Sequence, residues 1–157
     1  MGNSYTGFKN QGFSAKDGQI CVWLYLLVEE IDKLENPDAW LLEARKEWHI
    51  QSTLGINGCV SPGLDEILTN QEKVNTIIKL SEAALKKLSE SSPRITLKTD
   101  YSYGADGPDT ICNGVDVRIH EIYGKEFIKL LKGEPVSTEA AWPTKFYPDK
   151  GSPNNGN

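Results

Sequence analysis

The chain has 157 residues, 38% of them hydrophobic, 9% aromatic and 25% charged, the composition of one ordinary folded domain rather than of a fibrous or disordered polymer. Seventeen basic residues against 22 acidic ones leave a net charge of −5, which repels phosphate backbones at long range; no nucleic-acid partner is expected, and a basic protein partner would be attracted. The longest apolar run, Ile20 to Val28, stops at Glu29 after nine residues, far short of the ~20 that cross a bilayer, so it reads as core and no membrane partner is expected.

That run begins too far into the chain for a secretory signal and lacks a basic flank and a cleavage site. Three cysteines, at 21, 59 and 112, cannot all pair internally, which fits reduced thiols and a cytoplasmic location. Met1 to Thr6 matches the loose N-myristoylation pattern, but with only Lys9 and Lys16 nearby there is no polybasic second signal, and one acyl chain anchors marginally.

Taken in order, the sequence predicts one globular domain over 1–150, with an irregular arm over 1–13 and a flexible tail over 151–157. Ser14 to Asp17 reads as a capping box, and Ile20, Trp23, Leu24, Leu27, Ile31 and Leu34 recur at helical spacing, predicting a buried central helix to about Leu34. Asn36-Pro37-Asp38 reads as a helix start, and Trp40, Leu41, Ala44 and Trp48 as the inner stripe of a second helix ending near Gln51. Gly55, Asn57-Gly58 and Pro62-Gly63 then interrupt the pattern, with one short helical turn expected through Leu68. Thr69 to Glu72 is a second capping box, followed by a helix carrying Val74, Ile77, Ile78, Ser81, Leu85 and Leu88.

After Pro93 the period changes. Ile95 to Tyr103 and Val115 to Ile119 alternate apolar and polar residues, predicting an antiparallel β-hairpin near residues 94–122. Glu126 to Lys132 reads as a last helix closed by Gly133, and Trp142, Phe146 and Tyr147 are expected to pack back on the body. The fold class is therefore α+β: a mostly helical domain of four to five helices with one antiparallel hairpin.

Several groupings could carry chemistry. His49, Cys59, Cys112 and His120 are zinc-ligand types, but structural zinc sites keep ligand pairs within about five residues and these pairs are wider, so no metal is expected. Cys59, ahead of a helix start, could act as a thiol nucleophile with His120 as base. Asp116, Arg118 and His120, on one strand face opposite Lys98 and Asp100, could form a general base beside an anion clamp, or simply a ladder of opposite charges on a wet face. The loop from Gly104 to Asp109 has acids and glycines but lacks the EF-hand pattern. No phosphate-binding glycine loop, His-Glu-x-x-His or Gly-x-Ser-x-Gly occurs, and no cofactor is expected.

The stretch from Trp48 to Asp65 gathers a histidine, a cysteine and turn residues between helices, and with Trp40 it supplies the binding candidates Trp40, Trp48, His49, Asn57 and Asp65. The expectation is a small acidic binding protein of the inhibitor or immunity type that covers a basic partner such as a toxin. The alternatives are a small hydrolase using His120 with Asp116 and Arg118 or with Cys59, and a homodimer formed by strand addition at the hairpin edge.

Overall fold

In the computed structural model, the described residues are 2–54, 59–90, 94–95 and 115–137. Among them run β1 (Asn3–Phe8), β2 (Gln11–Lys16), α1 (Asp17–Asp32), α2 (Ala39–Leu54), α3 (Leu64–Ile67), α4 (Gln71–Glu90), β3 (Arg94–Ile95), β4 (Val115–Asp116) and α5 (Val117–Leu131). The fold is α+β, five helices with antiparallel strand pairs. No described helix is long and apolar enough to cross a membrane.

The segment expected to be an irregular arm is instead a β-hairpin, with Phe8 opposite Gln11 and Asn3 opposite Lys16. Its two-residue turn is Lys9-Asn10, and Lys9 takes φ of 55°, the positive value that primed hairpin turns require. Ser4, Thr6 and Phe8 on β1, with Phe13 and Ala15 on β2, form the buried face. On the other face Gly7 stands opposite Gly12, and the Tyr5 ring lies over both: a Cβ added at Gly12 would come within 2.6 Å of that ring and 2.3 Å of the Thr6 carbonyl.

Because Ser14 and Ala15 belong to β2, α1 starts at Asp17 and not at Ser14; the reciprocal cap is made by Gln19, whose Oε1 accepts from the Lys16 N–H at 3.1 Å. Eleven of the sixteen residues of α1 are buried, since α2 packs on one side and α4, α5 and β2 on others. The next helix begins two residues later than Asn36 suggests, with the Asp38 carbonyl accepting from Leu41 and Leu42, and the α4 cap is Asn70, whose Oδ1 accepts from the Lys73 N–H at 2.9 Å.

The main correction concerns residues 115–131. The expected antiparallel pairing exists between Ile95 and Val115 and between Arg94 and Asp116, but from Val117 onward the chain is helical. Val117, His120, Tyr123, Gly124, Phe127, Leu130 and Leu131 make one buried helical face, so the alternation of Val115, Val117 and Ile119 was the head of a helix and not a strand. Gly133, at φ 74°, ends α5 as expected: its N–H bonds the Leu130 carbonyl and that of Glu134 bonds Lys129, a Schellman closure. The buried Glu126 carboxylate then accepts from the Ser137 N–H at 3.0 Å and pairs with Lys129, holding the following segment. The expected aromatic anchors Trp142, Phe146 and Tyr147 and the tail over 151–157 lie outside the described residues.

Where α1 meets α5, the rings of Phe13, Trp23, Tyr123 and Phe127 stack with centroids 5.4 to 6.2 Å apart, in the tilted and edge-on arrangements that aromatic quadrupoles favour. Gly124 makes this approach possible, because a Cβ there would sit 2.4 Å from the Trp23 ring. Trp23 Nε1 has no hydrogen-bond partner among the described residues, so packing alone fixes the ring.

Two outcomes follow from this core. Gly124→Ala gains about 1 kcal/mol of helix propensity, yet the fully buried Trp23 cannot retreat, so equilibrium denaturation should show a net loss of about 1–3 kcal/mol. Burial also pushes the Tyr123 phenol well above its ordinary pKa, only partly offset by the hydrogen bond with Thr6. The unfolded chain releases this proton near pH ~10 while the folded chain keeps it. The stability held by neutral Tyr123 is therefore complete below about pH 10 and falls as pH rises beyond it, and urea titrations across that range should show a smaller fall for Tyr123→Phe.

Candidate functional site

The stretch from Trp48 to Asp65 becomes a seam between helices and hairpin. Trp48 is fully buried, with Nε1 donating to the Pro62 carbonyl at 2.7 Å, so this binding candidate is a core anchor that presents no surface. His49, on the adjacent side of α2, is exposed. Asn57 lies outside the described residues. Trp40 is half-buried near the start of α2, with the Lys73 ammonium 5.4 Å from its ring centre, which already occupies that face with a cation.

Asp65 does have a partner, but within the chain. Its Oδ1 accepts from the Lys9 backbone N–H at 2.8 Å, so the exposed carboxylate steadies the hairpin turn. Gly63 at φ 61° provides the left-handed residue that starts α3. Ser61 N–H reaches Gln51 Oε1 at 3.3 Å, and Val60 N–H donates to the Ser4 hydroxyl at 3.0 Å. Ser4 in turn donates to Asp17 Oδ1 at 2.6 Å, and Asp17, only 1% exposed, sits in the first turn of α1 where the helix dipole favours a carboxylate.

The catalytic candidates do not share a face. Asp116 is in β4, Arg118 is on the exposed side of α5, and His120 is 7% exposed and faces the core. Residues two apart on a helix differ by about 200° in direction, so Arg118 and His120 cannot act as the clamp and base of one site. Their expected cross-strand companions Lys98 and Asp100 lie outside the described residues, as does Cys112. Cys59 is an exposed thiol in the stretch before α3. Among the described residues no group of three or more His, Cys, Asp or Glu is placed to hold a metal.

What the structure adds is the polar chain Asp17, Ser4, Val60 and the Thr6–Tyr123 pair at 2.8 Å, none of it singled out from sequence. The signal was present: Ser4, Thr6 and Phe8 alternate with exposed residues and meet Phe13 and Ala15 across a two-residue turn. Charge is also unevenly placed. Between residues 32 and 72 stand Asp32, Glu35, Asp38, Glu43, Glu47, Asp65, Glu66 and Glu72, all exposed, against Lys33, Arg45 and Lys46. That segment alone has the balance of −5 carried by the whole chain. On α5, in contrast, Arg118, Lys125 and Lys129 are exposed, with Lys132 just beyond its end.

Comparison with known proteins finds no matching family model, no matching curated protein and no matching solved structure. Ser4→Ala would strip Asp17 of a hydroxyl donor and leave the buried Val60 N–H without its acceptor. It should lower stability by about 1–3 kcal/mol in chemical denaturation, with loss of hydrogen-exchange protection concentrated at Val60 and the start of α1.

Proposed function

We propose that the protein is an acidic binding protein that covers a basic protein partner, in the manner of an inhibitor or an immunity protein. The observation that carries this reading is the segregation of charge. The exposed carboxylates of α2, α3 and their flanks, residues 32 to 72, hold the chain's whole excess, while Arg118, Lys125 and Lys129 stand exposed on α5. A polarised field of this kind orients an approaching cationic surface and raises its rate of association, while a uniform −5 would only attract it. Leu42 and Ile50, 49% and 39% exposed on the outer face of α2, lie between those acids and would supply apolar contact once a partner is docked.

The opposite directions of Arg118 and His120 on α5 support binding over hydrolysis by that pair, because general base catalysis needs its groups within hydrogen-bond reach of one reacting atom. The test is association with a basic protein encoded beside this one. Kinetic traces at rising ionic strength should show the association rate falling steeply, and Glu43→Lys with Glu47→Lys should slow it by about tenfold or more at low salt. Lys125→Glu on α5 should leave it unslowed. No basic partner recovered at low salt, or equal effects from reversals on both sides, would overturn the reading.

A further inference from the structure

Cys21 on α1 and Cys59 in the stretch before α3 lie on segments fastened to each other by side-chain hydrogen bonds, and we propose that they are a redox pair that closes into a disulfide when a small disulfide oxidant reaches Cys59. Two independent hydrogen-bonded routes join the segments that carry them. Along the first, the Cys21 thiol donates to the Gln51 carbonyl at 3.6 Å while the side chain of the same Gln51 holds the Ser61 N–H at 3.3 Å. Along the second, Asp17, one helical turn before Cys21 on α1, is bridged by Ser4 to the N–H of Val60, the residue after Cys59. Val60 and Ser61 are thus fastened toward the Asp17–Cys21 turn by Ser4 and Gln51, and Cys59 directly precedes them.

Their exposures differ in the way a sensor pair requires. Cys59 is exposed and open to a reagent, whereas Cys21 is half-buried and positioned to resolve what forms on Cys59. With oxidised glutathione as oxidant, the Cys59 thiolate attacks one glutathione sulfur, breaking that S–S bond and releasing one glutathione thiolate. The Cys21 thiolate then attacks the Cys59 sulfur of the mixed disulfide and expels the second. Two protein thiols lose two electrons and two protons, and one small disulfide becomes two thiols. The product staples the stretch before α3 to α1. The redox step itself does not rest on the proposed partner, so failure of one leaves the other standing.

The test uses the full chain with Cys112→Ser, so that only this pair can react, treated under native conditions with graded oxidised glutathione. The expected product is a monomer that keeps no glutathione, resists alkylation at both positions and yields a Cys21–Cys59 linked peptide on digestion. Adding Cys21→Ser should trap one glutathione on Cys59. Retention of glutathione on Cys59 while Cys21 stays alkylatable, a covalent dimer as the main product, or two unreacted thiols would each overturn the proposal. Should Cys21→Ser fail to fold, the mass and peptide map of the Cys112→Ser chain still decide.

Discussion

The contact of Trp23 with Gly124 sets how the rest of the chain is arranged. A tryptophan in the middle of α1 can be fully buried only if the helix crossing it comes close, and the absent side chain at Gly124 allows that closeness. Phe127 and Tyr123 then fall beside the indole, and Phe13 completes the group from the hairpin. With α5 seated, α4 packs against both α1 and α5, and α2 covers the remaining side of α1. A helix with so much of its surface covered accounts for the long apolar run from Ile20 to Val28 without any membrane.

The hairpin is fixed to this core by polar as well as apolar contacts. Thr6 meets Tyr123 and Ser4 meets Asp17, both inside the protein, where a satisfied hydrogen bond is favourable and a broken one is costly. Through Ser4 and Asp65 the same hairpin holds the segment from Val60 to α3. Val60 and Pro62 are therefore turned inward ahead of α3, while Cys59 and Ser61 stay exposed.

The sequence was legible where one period ran without competition. α1 and α4 repeat their apolar residues at three and four over many turns, so both helices, and most of the residues they bury, follow from spacing. Residues 115–119 satisfied two periods at once, because Val117 begins the inward face of a helix and also continues a strand alternation; only the chain beyond, with His120, Tyr123 and Phe127, separates them. The candidate site was misread for the same reason. Placing His120 on a strand turned it toward water beside Arg118, and placing it on a helix turns it into the core.

By itself, then, the sequence determined the helical framework, the α+β class, the glycine closure of α5 and the charge excess, since these depend on neighbours within a turn or a few residues. Tertiary structure decided the rest. That Ser4 and Thr6 are buried, that Trp48 is an anchor, that Gly124 must lack a side chain and that Gln51 joins Cys21 to Ser61 all depend on contacts between residues far apart in the chain. A local pattern records which residues prefer to be covered, and only packing determines what covers them.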